Sequence, residues 1–283
     1  MGWTRKCSFG FNVLLLLLAL LIGCGPQHQG SAVPTSYEPK AAAATALEWL
    51  GIQDVPQPRA QEIDILCDAS AGSTCTPETL RNTLEAALPS VAARHSSTVR
   101  LWMLGREVAD TVQAASVTMD AKVRSGKAEK ASRERFVKDS LNMLEAAAAP
   151  YFTQHANRSP IAESISKIAL YRTRAGAERI IIAITDAKEF SGLGDLECKV
   201  PEPAAFVSRL DANRVLAPGS LAGTKVIFGD VNLSHIDGDR CVSTLAAADQ
   251  VQRIWETALK HAGASEVLFE AGEPTLTEKG GVE

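Results

Sequence analysis

The sequence lacks the signals of several common enzyme classes. Its five histidines are scattered over 283 residues, and no two stand at the spacing of a zinc site. A Walker loop, a dinucleotide-binding glycine fingerprint and a heme motif are missing. The Gly-x-Ser-x-Gly motif of a nucleophile elbow is missing as well. These absences argue against zinc enzymes, nucleotide-dependent enzymes and hydrolases of the elbow type.

A long apolar segment is also lacking. The uninterrupted apolar run, residues 13–22, is shorter than the roughly 20 residues that a membrane-spanning helix needs. It follows Arg5 and Lys6 and closes with Leu21-Ile22-Gly23-Cys24, an arrangement typical of a secretory signal peptide. We therefore expect residues 1–23 to be removed as a leader. The alternative is an uncleaved membrane anchor.

The closing motif Leu21-Ile22-Gly23-Cys24 resembles the lipobox of bacterial lipoproteins. That resemblance implies that Cys24 is lipidated and becomes the first residue of a mature protein held on the cell envelope. Several acyl chains would hold it firmly, since each buried CH₂ contributes about 0.8 kcal/mol. Gly25, where aspartate would retain a lipoprotein in the inner membrane, favours the outer membrane.

An excess of positive charge is missing too. The formal net charge is −4, and removing Arg5 and Lys6 with the leader gives −4 minus 2, or −6. A mildly acidic chain argues against nucleic acid as the main partner. After the leader, residues 24–60 are rich in Gly, Pro, Ser, Gln and Ala, which predicts a flexible tether. Residues 61–272 are long enough for one domain, and residues 273–283 are predicted to be a disordered tail.

Strands and helices alternate along the predicted domain. Strands are predicted at residues 62–68, 97–104, 108–119, 179–186, 225–231 and 266–269. Helices are predicted at residues 77–93, 132–149, 160–171, 203–213 and 244–261. The second and third strands are joined too closely for a crossover helix, so we expect them to be antiparallel. The pattern predicts an α/β fold of three layers, a doubly wound, mostly parallel Rossmann-type sheet with helices on both faces.

Polar side chains follow two of these strands. Asp68 and Ser70 come directly after the first strand, and Thr185-Asp186 closes the strand at residues 179–186. Ligands bind at the carboxyl ends of strands in open α/β sheets. Carboxylates and hydroxyls are hard oxygen donors, which suit Mg²⁺, Mn²⁺ or Ca²⁺. The alternative is a purely structural role, in which Asp68 and Ser70 accept hydrogen bonds from amides of their own loop.

The order of elements and motifs resembles a von Willebrand factor type A domain. In that family a cation site combines Asp-x-Ser-x-Ser after the first strand, a threonine from a mid-domain loop and an aspartate after the fourth strand. Asp68, Ser70 and Asp186 match, and Ser159 stands conservatively for the threonine. Gly72 departs from the pattern, because the family has its second serine there. The resemblance implies a site that binds Mg²⁺, Mn²⁺ or Ca²⁺ and an acidic side chain of a protein partner.

Disulfides are expected in the oxidising envelope. Cys7 leaves with the leader and Cys24 carries lipid, so Cys67, Cys75, Cys198 and Cys241 remain. Three pairings are possible. The topology that the family resemblance implies favours Cys67 with Cys75 and Cys198 with Cys241, because each pair would then restrain loops beside the site. The alternative is four free, buried thiols.

These patterns together predict a non-enzymatic, lipid-anchored binding module that recognises a protein partner in or on the bacterial cell envelope. Two alternatives remain open. One is a scaffold of the same fold that docks without metal, and the other is an envelope hydrolase that uses Ser70 or a bound metal.

Overall fold

The computed structural model describes residues 59–70, 73–105, 107–120, 126–153, 157–171, 174–229, 231 and 245–270; the side chains of 126, 127 and 245–247 are not included. These residues belong to one compact unit, Gln57–Glu283. The predicted leader, the lipidated Cys24, most of the tether and the C-terminal tail lie outside the described residues.

Six strands and five helices alternate in the described part of the chain. The strands are β1 (Gln61–Cys67), β2 (Ser97–Met103), β3 (Val112–Met119), β4 (Glu178–Ile184), β5 (Thr224–Gly229) and β6 (Glu266–Phe269). The helices are α1 (Pro77–Ala92), α2 (Gly126–Ala148), α3 (Ile161–Ala169), α4 (Pro203–Asn213) and α5 (Leu245–His261). Short 3-10 turns lie at Val108–Asp110 and Tyr151–Thr153. The alternation confirms the predicted α/β class.

The six strands form one sheet in the order β3-β2-β1-β4-β5-β6. Every neighbouring pair is parallel except β2 with β3, which is antiparallel as predicted. From β1 the chain builds outward to one side through β2 and β3, and then returns to place β4 against the other side of β1. The gap between β1 and β4 at their carboxyl ends is therefore the topological switch point, where doubly wound sheets bind ligands.

Helices cover both faces of the sheet. Alternate residues of β1 point to opposite faces. Ile63, Ile65 and Cys67 pack with the buried side of α1 and α2. Leu66 packs on the other face, with α3, α4 and α5. Burial on both sides explains why β4 is apolar throughout residues 180–184, and the result is the predicted three-layer arrangement.

The first helix begins as the sequence predicts. The Thr76 side chain accepts a hydrogen bond from the Thr79 amide at 3.1 Å, and Pro77 occupies the first helical turn. An N-cap hydroxyl followed by proline is a strong start signal, because both residues fit the amides that a helix leaves unpaired. This cap fixes where the loop after β1 ends.

Two predicted boundaries are wrong by more than two residues. The third strand begins at Val112, not at residue 108, because a 3-10 turn precedes it. The Asp110 amide donates to the Glu107 carbonyl at 2.9 Å, and Asp110 Oδ2 accepts from the Glu107 amide at 3.3 Å. These local hydrogen bonds compete with strand pairing at the start of the segment.

Helix α2 begins at Gly126, before the predicted start at residue 132. Its first turns are polar, so the apolar periodicity that marks a helix is missing there. Ion pairs one turn apart support these turns instead, between Glu129 and Arg133 and between Lys130 and Glu134. Of the helices in the described ranges, none is both long and apolar enough to cross a membrane.

Candidate cation site

Asp68 lies at the switch point of the sheet. Its amide donates to the Ile184 carbonyl at 3.1 Å, which extends the β1–β4 ladder by one bond, and the residue is fully buried. Its Oδ1 accepts from the Ser70 amide at 3.0 Å, and its Oδ2 accepts from the Thr185 hydroxyl at 2.9 Å. The carboxylate therefore joins the loop after β1 to the loop after β4.

A hydroxyl pair brings in a third segment of the chain. Ser70 Oγ lies 2.8 Å from Ser159 Oγ, just before α3. Ser159 is held by two backbone hydrogen bonds of 3.1 Å with Phe190, one in each direction. The loop after β4 thus folds back and fixes Ser159 beside Ser70 as a short antiparallel bridge.

Asp186 faces the same region from the loop after β4. Its Oδ1 accepts from the Lys188 amide at 3.0 Å. The Lys188 ammonium lies 3.6 Å from Asp186 Oδ2, and both side chains are only 16% exposed. A cationic group therefore already lies beside one of the two predicted carboxylate ligands.

Burial makes the charged form of the Asp68 and Asp186 carboxyl groups less favourable. Burial raises the pKa of Asp68 above its ordinary value of 3.8, although hydrogen bonds from Ser70, Thr185 and Ser159 act in the other direction. Burial also raises the pKa of Asp186 to about 6, and the charge of Asp68 adds to this effect. The carboxylates of Asp68 and Asp186 thus lie close enough to repel each other, and a bound cation would relieve that repulsion.

The residues present fit a hard divalent cation. Asp68, Ser70 and Ser159 meet in one hydrogen-bonded cluster, and Asp186 lies within electrostatic reach of it. No group of three or more His, Cys, Asp or Glu side chains able to hold a metal ion occurs among the described residues. A cation here would depend on two carboxylates, hydroxyls and retained waters, which is the coordination that Mg²⁺ tolerates.

The loop after β1 does not supply the second serine of the family pattern. Gly72 lies outside the described residues. The hydroxyl of Ser73, one position later, accepts a hydrogen bond from the Cys75 amide at 3.4 Å. Ser73 therefore holds its own loop in place of contacting Asp68.

Sequence reasoning missed two contributors to the site. The Thr185 hydroxyl binds Asp68, and its position next to Asp186 at a strand end was a usable signal. Lys188 neutralises part of the charge of Asp186, and no short-range pattern pointed to it. Its ammonium would compete with a metal ion for that carboxylate.

A disulfide closes the loop that carries Asp68 and Ser70. Cys67 and Cys75 are bonded, with Cα atoms 5.6 Å apart across a separation of eight residues. This is one of the two pairings favoured from the sequence. Cys198 is also disulfide-bonded, and its expected partner Cys241 lies outside the described residues.

The loop after β4 is strained and anchored directly beside Asp186. Ala187 has φ = 61°, a left-handed conformation that costs a non-glycine residue about 1 kcal/mol or more. Its carbonyl accepts a hydrogen bond from Trp255 Nε1 at 2.8 Å, from α5. A bond from the helix layer therefore holds the backbone in the turn that presents Asp186.

Comparisons with known proteins leave the chain without an assigned family. No protein-family model matches it, and no curated protein sequence does either. The case for its function therefore depends on the residues and geometry described above.

Proposed function

We propose that this protein is a binding module, anchored to the bacterial envelope through lipid on Cys24, that recognises a protein partner through a divalent cation. The observation that carries this proposal is the cluster of Asp68, Ser70 and Ser159 with Asp186 beside it. Three separate segments of the chain contribute oxygen atoms at the switch point of the sheet. Mg²⁺ is the preferred ion, with Mn²⁺ and Ca²⁺ as alternatives.

A cation at this position would suit recognition of an acidic side chain. Among the described residues two carboxylates lie at this place, and they at most balance the two positive charges of the ion, so hydroxyls and exchangeable waters would fill the rest of its coordination shell. A carboxylate from the partner could replace one water and complete the coordination shell. The protein would supply no nucleophile or general base in this scheme, so we propose a binding role and not an enzymatic one.

The proposal includes a von Willebrand factor A-like identity for the domain. In its support, Asp68 and Ser70 follow β1, Ser159 precedes α3, and Asp186 follows the fourth strand, β4. The sheet order adds support at the coarser level of a doubly wound fold. The missing second serine at Gly72 predicts weaker cation binding than the family pattern would give.

Lys188 favours a second candidate, a scaffold of the same fold that docks to an envelope protein without metal. Its ammonium lies 3.6 Å from Asp186 Oδ2, so part of the charge that a cation would neutralise is already neutralised. In that case the loops around the site would still contact a partner, but no ion would link the two proteins.

Capture from envelope extract separates the two candidates. Wild-type protein is compared with Asp68→Asn, and with Asp139→Asn as a control on the exposed side of α2. Cation-dependent recognition predicts a captured protein that is lost with chelator, restored by Mg²⁺ and absent with Asp68→Asn. The same protein captured equally in chelator and by Asp68→Asn would reject the metal and favour the scaffold.

A further inference from the structure

A buried glutamate holds the start of α3. Glu189 is fully buried, and its Oε2 accepts a hydrogen bond from the Ala162 amide at 2.8 Å. Pro160 occupies the N-cap position of α3 and offers no side-chain cap, so the helix needs an acceptor from elsewhere. Glu189 supplies that acceptor from the loop after β4.

A second carboxyl group lies against Glu189. Glu163, in the first turn of α3, is within hydrogen-bonding contact of it. Glu189 Oε1 and Glu163 Oε2 are both buried, and neither has another hydrogen-bond partner among the described residues. Two carboxylates offer acceptors only, so two buried charges would repel each other with no donor between them. One proton between the groups turns this repulsion into a hydrogen bond.

Burial favours the protonated form of Glu189. It raises the pKa of Glu189 well above its ordinary value of 4.5, and the neighbouring Glu163 raises it further, against hydrogen bonds from Ser191 and Ala162. Neither glutamate belongs to the candidate cation site. The pair is a separate feature that joins the loop after β4 to the start of α3, and α3 follows directly after Ser159 and Pro160.

We propose that Glu163 and Glu189 share one proton and form a latch, and that losing this proton to solvent loosens the loop after β4 from α3. With the proton present, the loop is joined to α3 by the carboxyl pair and by the bond to the Ala162 amide. Without it, two negative charges meet in a buried place. The partly exposed Glu163 then turns toward water, and the loop loses one of its attachments.

The latch reaches residues on both sides of Glu189 in the chain. Phe190 is paired with Ser159 through two backbone bonds, and the Glu189 carbonyl accepts from the Leu196 amide at 2.8 Å. Ala187 accepts from Trp255 Nε1. Loosening the loop therefore changes the hydrogen bond of the Trp255 indole, which gives a direct spectroscopic signal.

The other charged groups around the latch are few in the described part of the chain. Glu163 faces Glu189 from α3. Arg209 lies on α4 and donates from Nη1 to the Leu193 carbonyl at 3.2 Å, while α5 contributes the neutral Trp255. The loop itself carries Asp186 with Lys188, Asp195, which pairs with Phe190, and Glu197, whose charge adds to the raised pKa of Asp186. Of these, Asp186 also titrates above the usual range of a carboxyl group, so the experiment must separate it from the latch.

The test follows the indole N–H signals of the full-length protein by ¹⁵N NMR in chelator-containing buffer, from pH 4.5, the ordinary pKa of glutamate, to about pH 9. In the wild type the Trp255 signal is expected to move in a sigmoidal step that reports the latch, besides any step that Asp186 causes near pH 6. Trp102 is the internal control, because its Nε1 donates to the carboxylate of Asp64 and not to the loop after β4. Its signal should stay constant across that step.

The variant Glu189→Gln gives the matched comparison. Its amide oxygen can still accept from Ala162, and its NH₂ group can donate to Glu163 without titrating. Glu163→Gln places the donor on the other partner and serves if the first variant fails to fold. Both are expected to remove the step of the latch from the Trp255 curve and to leave at most the step of Asp186. A Trp255 curve that is the same in both variants as in the wild type would assign all of its movement to Asp186 and overturn the latch, as would a wild-type Trp255 signal that does not move. Because no cation is present, the result is independent of the proposed metal site.

Discussion

The hydroxyls of Ser70 and Ser159 lie 2.8 Å apart, although 89 positions separate them in the chain. One follows the first strand, and the other precedes the third helix. The hydrogen bonds between Ser159 and Phe190 bring in the loop after β4 as well. The candidate site is therefore a junction of three loops, and its geometry depends on side chains that would also be its ligands.

Replacing Ser159 tests whether that junction supports cation binding. Ser159→Ala removes one neutral oxygen ligand and the partner of Ser70, so we expect Mg²⁺ affinity to fall about tenfold, by ~1.4 kcal/mol. Titration calorimetry measures the change. Ser159→Thr is the matched control, because it keeps the hydroxyl, and it should retain affinity. Equal loss in both variants would indicate that packing, and not the hydroxyl, is responsible.

The raised pKa of Asp186 predicts how the stability of the protein depends on pH. Its pKa in the folded protein is raised from 3.8 to about 6, so folding favours the neutral acid. The stability that this group contributes is complete below pH 3.8 and is lost as pH rises through about 6. Moving the pKa over this range corresponds to ~3 kcal/mol.

The variant Asp186→Asn has a neutral side chain at this position, so it avoids the free-energy cost of burying a charged carboxylate. Without added cation, its free energy of unfolding at pH 7 should exceed that of the wild type by ~1–3 kcal/mol, measured by denaturant titration. The gain is smaller than the full ~3 kcal/mol because the variant loses the ion pair with Lys188. The difference should shrink toward pH 4. A difference in the free energy of unfolding that stays the same from pH 4 to pH 7 would contradict the raised pKa of Asp186.

The Cys67–Cys75 disulfide is expected to stabilise both the fold and the site loop. Replacing both cysteines with alanine should lower the free energy of unfolding by ~2 kcal/mol, because a short closed loop is released in the unfolded chain. Mg²⁺ affinity should fall too, since Asp68 and Ser70 lie within that loop. A double variant with wild-type affinity would show that the loop is held by its hydrogen bonds alone.

Much of the fold could be predicted from the sequence because it depends on local patterns. The apolar run of β4, the cap at Thr76 and the short β2–β3 connection each have a local cause. The carboxyl ends of parallel strands meet at one end of the sheet, so Asp68 and Asp186 could be placed together from topology alone. The polar first turns of α2 and the 3-10 turn at Val108–Asp110 were not predicted, because neither shows a periodic pattern of apolar residues.

The parts that sequence reasoning missed are long-range. The bridge from Ser159 to Phe190 and the cap from Glu189 to Ala162 join groups whose spacing along the chain carries no periodic signal. Each depends on how the loop after β4 folds back over α3. That path follows from the packed structure and not from local propensity.

Asp64 is a further example, because its hydrogen-bond partners lie on the neighbouring strands β2 and β4. It is fully buried and accepts hydrogen bonds from Arg100, Trp102 and Arg179. Arg179 also donates to carbonyls at the end of α3, including that of Ile168 at 2.6 Å. Opposite charges and satisfied hydrogen bonds make this burial tolerable.

Removing Asp64 should therefore be costly. Asp64→Ala removes the carboxylate that the buried Arg179 shares with Arg100, which keeps its ion pair with Glu62. We expect the free energy of unfolding to fall by ~3–5 kcal/mol. Denaturant titration measures the loss. Glu145→Ala is the control, since its contact with Arg81 is near the surface and should change stability by less than ~1 kcal/mol. Similar small losses in both variants would mean that the buried network contributes little.

Calorimetric titration of Mg²⁺ and Mn²⁺ into the purified protein at pH 7 tests the central claim most directly. We predict saturable binding of one ion, lost in Asp68→Asn and retained in the surface control Asp139→Asn. Circular dichroism on the same samples would establish that all three proteins are folded. Folded wild-type protein that binds neither ion would contradict the account.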